Sequence, residues 1–139
     1  MNIFEACDNG DLEFVKNYEG DINVNDSDGW TPLHIASCYS NLEIVKCLVS
    51  KGADINRKDI GGRTPLHNAS RWGEFEIVKY LIKKGADVKI RDNDRKTPLH
   101  WASYNNHIET VKYLLDNGAE KIKIKSEWNN EVKEILLTY

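Results

Sequence analysis

The segments TPLHIAS (31–37), TPLHNAS (64–70) and TPLHWAS (97–103) decide the fold of this chain. Each starts 33 residues after the one before. A second block follows each at a fixed offset: NLEIVKCLVSKGADI from Asn41, EFEIVKYLIKKGADV from Glu74 and HIETVKYLLDNGAEK from His107. Two long blocks recurring together at one period mark a repeating structural unit. Thr31 suits a helix N-cap, and Pro32 suits the first helical position, where an amide would have no partner anyway. Leu33, Ala36 and Ser37 then share a face whose small residues let helices approach closely. The helix is expected to stop near Ser40; the equivalent Gly10, Gly73 and Asn106 suit a left-handed cap better than Ser40 does. Leu42, Ile44, Val45, Leu48 and Val49 form the apolar stripe of a second helix, ended by Gly52 and, in later units, by Gly85 and Gly118. From Asp54 to Gly62 the chain reads as an extended turn. Each unit is therefore helix, short loop, helix, projecting turn.

This pattern resembles the ankyrin-repeat family, which has the same period and the same T-P-L-H-x-A signature. The resemblance covers three full repeats and part of another, DNGDLEFVK at 8–16. It implies an all-α ankyrin-repeat solenoid of stacked helix–loop–helix units with projecting β-turn or hairpin loops. A single domain over 1–139 is expected, with an N-terminal capping repeat at 1–25, full repeats at 26–58, 59–91 and 92–124, and a C-terminal capping helix at 125–139. One unit cannot bury its apolar face alone, so stacking makes the core and the two ends must be irregular. At the first end the second helix is about a turn short and carries Asn17 and Tyr18. At the other, SEWNNEVKEILLTY (126–139) reads as one amphipathic helix with Trp128, Val132, Ile135 and Leu136 inward.

Composition excludes several classes. No apolar run approaches the roughly 20 residues of a membrane helix. The start, MNIFEACDNGD, lacks the basic and apolar regions of a secretory signal, so an intracellular location, cytoplasmic or nuclear, is expected. Three cysteines (Cys7, Cys38, Cys47) at unrelated spacings fit reduced thiols. The net charge of −3 is uneven: residues 1–30 hold eight acids and one base, the remainder 18 bases and 14 acids. Those bases are diluted by acids, which argues against a nucleic-acid footprint. KIKIK (121–125) suits a half-exposed extended segment; a nucleic-acid or anionic-lipid role for it is the lesser reading.

His34, His67 and His100 lie in successive units, roughly 10 Å apart if helices pack at usual distances. Zinc holds its ligands at about 2.1 Å, so no metal site is expected. The family resemblance instead implies that this histidine ties its own threonine to the next repeat. His107 is expected to be solvated. No nucleophile elbow, phosphate-binding loop or dinucleotide fingerprint occurs, and Gly61–Gly62 reads as turn chemistry. Neither a catalytic residue nor a cofactor nor a small-molecule substrate is expected. Glu43/Lys46, Glu76/Lys79 and Glu109/Lys112 read as solvated helical pairs worth about 0.2–0.5 kcal/mol each.

The columns that vary between repeats carry the functional expectation. Residues three and four apart share a helix face, so Ile35/Cys38/Tyr39, Asn68/Arg71/Trp72 and Trp101/Tyr104/Asn105 form three rungs. The turn tips add Asp28/Trp30, Ile60/Arg63 and Asp94/Lys96. The resemblance implies that rungs and tips share the concave side, where ankyrin proteins hold partners. Trp, Tyr and Arg are also the types enriched in interface hot spots. A monomeric, non-catalytic module binding a partner protein is the leading expectation. A targeting domain of a larger enzyme or regulatory protein, and a self-associating scaffold, stand beside it. Asn68, in the column of Ile35 and Trp101, either needs a partner or meets the ligand. Arg95 replaces Gly29 and Gly62 in its column, so its turn is either strained or differently shaped. Lys89 replaces Asn56 and removes a local turn-stabilising amide. Both place irregular geometry between the second and third TPLH segments. The surroundings of Asn56 also resemble the ankyrin sequence that some asparaginyl hydroxylases modify.

Overall fold

In a computed structural model, which describes residues 1–139, the threonine caps form where the sequence places them. Thr31, Thr64 and Thr97 are in extended backbone just before helices that begin at Pro32, Pro65 and Pro98. The Thr31 hydroxyl accepts from the His34 amide, and the His34 imidazole accepts in return from the Thr31 amide at 3.1 Å. This reciprocal pair satisfies two amides that a helix start would otherwise leave open.

Nine helices follow in order, with no strand: α1 (Ile3–Asn9), α2 (Leu12–Asn17), α3 (Pro32–Ala36), α4 (Leu42–Ser50), α5 (Pro65–Trp72), α6 (Phe75–Lys83), α7 (Pro98–Tyr104), α8 (Ile108–Asp116) and α9 (Asn130–Thr138). They stack in two rows. The first helices, α1, α3, α5 and α7, form an inner row beside the turns, and α2, α4, α6 and α8 form an outer row, with α9 against α8. Between the rows runs one core of 26 buried apolar residues, from Ile3 to Leu136. Leu33, Leu66 and Leu99 recur in it at the same place in each repeat. The chain is thus an all-α solenoid, and none of its helices is long and apolar enough to cross a membrane.

Both ends are irregular as expected. Helix α2 has six residues where α4, α6 and α8 have nine. Trp128, Val132, Ile135 and Leu136 are all buried, although the last helix starts only at Asn130 and Trp128 enters the core from the preceding turn. In the middle, α3 differs from the expectation. It ends at Ala36 and not near Ser40, whereas α5 continues to Trp72 and is closed by Gly73 at φ 71°. Asn106 takes the same left-handed state at φ 64°. Ser40 does not; its hydroxyl donates to Glu74 Oε2 at 2.8 Å, so it joins two repeats in place of capping its own helix.

The projecting turns are built on an aspartate that sequence reading passed over. Asp26 Oδ1 accepts from the amides of Asp28 and Trp30, Asp59 Oδ1 from Gly61 and Arg63, and Asp92 Oδ1 from Asp94 and Lys96. Its recurrence at the 33-residue period was the available signal. Successive turns are joined by backbone: the Ile60 amide donates to Asp28 O, and the Asn93 amide to Gly61 O, both at 2.9 Å. Arg95 has φ 65°, so its turn keeps the shape of the other two, and the strained alternative is the correct one. The expected irregularity between the second and third TPLH segments is absent. At that junction the turn-to-turn bond and the His67 link are both present.

The role expected for Asn56 needs the same correction. Its amide is not local: Nδ2 donates to Gly85 O at 3.2 Å, and Oδ1 accepts from the Asp87 amide at 2.9 Å. Asn23 makes the same bridge to Gly52 and Asp54. Lys89 therefore removes a link to the following repeat. In its neighbourhood only an exposed Arg91–Glu120 ion pair, 3.8 Å long, crosses the gap.

Candidate functional site

Three places could in principle carry chemistry: the histidine column, the cysteines and the variable columns of the inner face. The histidines are occupied by structure. His34 Nε2 lies 2.9 Å from Arg63 O and His67 Nε2 2.9 Å from Lys96 O, while Nδ1 of each faces its own threonine. Because Nδ1 accepts from a backbone amide, Nε2 carries the proton and donates to the next repeat. Burial pushes both imidazoles below the ordinary histidine range. His107, expected in solvent, is half-buried; its Nε2 lies 2.8 Å from Arg71 O, and its ring fills the space beside Gly73.

The cysteines are free. Burial pushes the Cys7 thiol up to about 12 and Cys38 up to about 11. Since the thiolate is the nucleophilic form, neither is activated at neutral pH.

The variable columns do assemble on the inner row, in two patches. Toward the N-terminus, Phe4, Trp30, Ile35 and Tyr39 line a shallow groove rimmed by Glu5 and Asp8. Trp30 packs on the His34 ring at 6.0 Å, and Tyr39 is exposed beside the Asp8 carboxylate, which raises its phenol. Toward the C-terminus, cations converge on two rings. Arg63, Arg71 and Lys96 lie 4.8, 5.2 and 5.1 Å from the Trp101 ring centre. Lys96 and Lys125 each lie 5.0 Å from that of Tyr104. Arg71 also covers Trp72, which is 55% exposed. Such contacts are worth about 0.5–1 kcal/mol for an arginine over an exposed ring. Trp101 is held from beneath: Nε1 donates to Asp92 Oδ2 at 3.0 Å, and the buried Asp92 carboxylate also sits 3.6 Å from Arg63 Nε. Asp92 stays below the usual carboxylate range: burial opposes ionisation, but the Lys96 amide, the Trp101 indole and the Asp94 amide outweigh it.

The remaining expected contacts are placed less centrally. Ile60 is 73% exposed on a turn tip, and Asp28, Asp94 and Asn105 are exposed, with Asn105 Nδ2 donating to Trp101 O. Asn68 must be withdrawn. It is buried and its Nδ2 donates to His34 O at 3.2 Å, so it serves the stacking of two repeats and has no surface to offer. Lys125 belongs to the patch and was missed. It lies in the KIKIK tail outside the repeat frame, and its ammonium donates to the Tyr104 hydroxyl. No periodic signal could have found it.

Of the expected outer-row pairs, Glu43–Lys46 (3.8 Å) and Glu76–Lys79 (3.3 Å) form; Glu109 and Lys112 do not pair. Glu13–Lys16 forms in the first repeat as well, at 3.8 Å.

Comparison with known proteins agrees with the architecture. A family model described as Ankyrin repeats (3 copies) matches residues 3–92 and 62–125. Among curated proteins, the chain is 44% identical over 54 residues to Protein phosphatase 1 regulatory subunit 27 of Mus musculus, and equally to that of Homo sapiens. Each match covers 37% of this chain and 35% of the relative. It is also 44% identical over 52 residues to the Transient receptor potential channel pyrexia of Drosophila melanogaster, covering 37% of this chain and 5% of the channel. The chain thus matches about a third of the length of the regulatory-subunit relatives and a small fraction of the channel.

Proposed function

The chain belongs to the ankyrin-repeat family, and from that premise we propose that it is a non-catalytic module that binds a partner protein through the inner row and its turn tips. One observation carries this reading. The packing columns are filled by buried side chains, while Tyr39, Arg71 and Trp72 stand exposed on one face with no structural duty to the core. Large aromatic and arginine side chains left in solvent on a single face are typical of interface anchors. An intracellular setting is consistent with the free cysteines. The names of the mouse and human relatives support a regulatory role, and protein phosphatase 1 is the first partner to test.

Trp72→Ala and Tyr39→Ala test the face at its two ends. Each is expected to weaken capture of a specific partner at least tenfold, about 1.4 kcal/mol, with little change in melting. Lys79→Ala and Lys112→Ala on the outer row are expected to leave capture nearly intact. Loss of capture on the outer-row variants, with the aromatic variants binding normally, would move the interface to the other face.

A further inference from the structure

On the outer row Lys16, Lys46 and Lys79 each meet a glutamate three residues earlier, Lys46 and Lys79 lying also over the Tyr80 and Phe75 rings, while Lys112 is unpaired. On the inner face Arg71, Lys96 and Lys125 form no ion pair within 4 Å; they lie over Trp72, Trp101 and Tyr104. Arg63 shares Asp92, but that carboxylate is buried and already engaged by Trp101 and two backbone amides. Four cations, Arg71 and Lys125 exposed and Arg63 and Lys96 half-buried, therefore gather around three rings, and the one carboxylate in ion-pair contact with any of them is the buried Asp92. Like charges held this close repel, and ring faces offset only part of that. An anionic ligand would relieve the repulsion, and arginine offers a planar fork suited to a carboxylate.

The opposite end of the same face has the opposite sign. Glu5 and Asp8 rim the Phe4–Trp30–Ile35–Tyr39 groove, and Asp28 stands on the neighbouring turn tip. A uniform polyanion laid along the solenoid would meet these acids, which disfavours a nucleic acid. A polypeptide can carry acids on one stretch and apolar or basic residues on the next. Resting on the partner-binding reading above, we propose that the Arg63–Arg71–Lys96–Lys125 cluster binds an acidic stretch, rich in aspartate and glutamate, of a partner polypeptide. An adjoining stretch of the same polypeptide lays an apolar side chain in the Glu5/Asp8-rimmed groove.

Selection of a random 16-residue peptide display library on the folded chain tests this directly. The bound pool is expected to be enriched in Asp and Glu. A selected peptide should bind at least tenfold more weakly to the Arg71→Gln/Lys96→Gln double variant, and more weakly with rising salt. The Lys46→Gln/Lys79→Gln variant, whose bases are paired, should bind as wild type. Circular dichroism and melting of both double variants establish that each is folded. A neutral or basic pool, no enrichment, or equal binding to the inner-face variant overturns the acidic assignment. If such a pool is still lost on Trp72→Ala, the inner-face reading survives without it. A single-stranded oligonucleotide binding more tightly than the selected peptide overturns it in favour of nucleic acid. A low-salt dimer dissolved by Arg71→Gln/Lys96→Gln reassigns the cluster to a second copy of this chain.

Discussion

Arg95 holds a left-handed backbone at φ 65°, where its column otherwise carries Gly29 and Gly62. The reason lies in what stands behind each turn. A Cβ on Gly62 would come within 2.6 Å of Asn93 Oδ1 and 3.0 Å of its amide, and one on Gly29 within 3.0 Å of the Ile60 amide. No fourth turn stacks behind Arg95, so its side chain has room and only the backbone state is unfavourable. That state costs a side-chain-bearing residue about 1–2 kcal/mol, against about 0.5–1 kcal/mol of extra chain entropy lost by glycine. Arg95→Gly is therefore expected to stabilise by about 0.5–1 kcal/mol, and Gly62→Ala to destabilise by more than Arg95→Gly gains, both read from urea midpoints. A midpoint lowered by Arg95→Gly would remove the strain argument. The sequence showed that this column wants glycine. It did not show which turn is last in the stack, which is what makes the arginine tolerable.

The first helix of each full repeat buries a leucine and an alanine, Leu33 and Ala36, Leu66 and Ala69, Leu99 and Ala102. Leu66 in α5 is 1% exposed and lies between the repeats on either side, so Leu66→Ala is expected to cost about 2–5 kcal/mol through a cavity. Lys83→Ala, on the exposed end of α6, should cost little; equal losses in denaturant melts would argue against the stacked core. Helix starts, the short α2 and the inward side of α9 were legible, because caps, proline and apolar spacing are local signals. The end of α3 was not. It turns on whether residue 40 bonds to its own helix or to the next repeat, and Ser40 reaches Glu74. Asn56 was misjudged for the same reason, since its partners lie 29 and 31 residues away.

Across the whole molecule, pH acts through the column that joins the repeats. His34 and His67 are held below the ordinary range chiefly by burial, partly offset by the carbonyl of the next repeat and by nearby aspartates. With the folded value depressed, their contribution is complete above about pH 6.5 and is lost as pH falls through that lowered value. Asp92, also depressed, contributes above the carboxylate range and is lost only at lower pH. The urea midpoint is expected to fall between pH 7.5 and pH 5, and less steeply in His67→Gln; a flat profile would show that neither histidine resists protonation. The candidate face was legible as columns, from spacing alone. Its acidic N-terminal end was legible too, in the eight acids of residues 1–30; the parts of Lys125 and Asp92 were not, because they reach it from outside those columns. One feature links stability to this face. His34 and His67 each donate to the next repeat, Asn23 and Asn56 each bridge to it, and the turns are joined one to another; all three devices stop at the third full repeat. Helix α9 is held there mainly by apolar packing around Trp128, Val132, Ile135 and Leu136. In a chain whose cooperativity is passed from neighbour to neighbour, the weakest coupling sets where opening begins. Fraying therefore starts at the C-terminal end, and Tyr104 and Lys125, which touch both the last repeat and the segment leading to α9, sit across that seam.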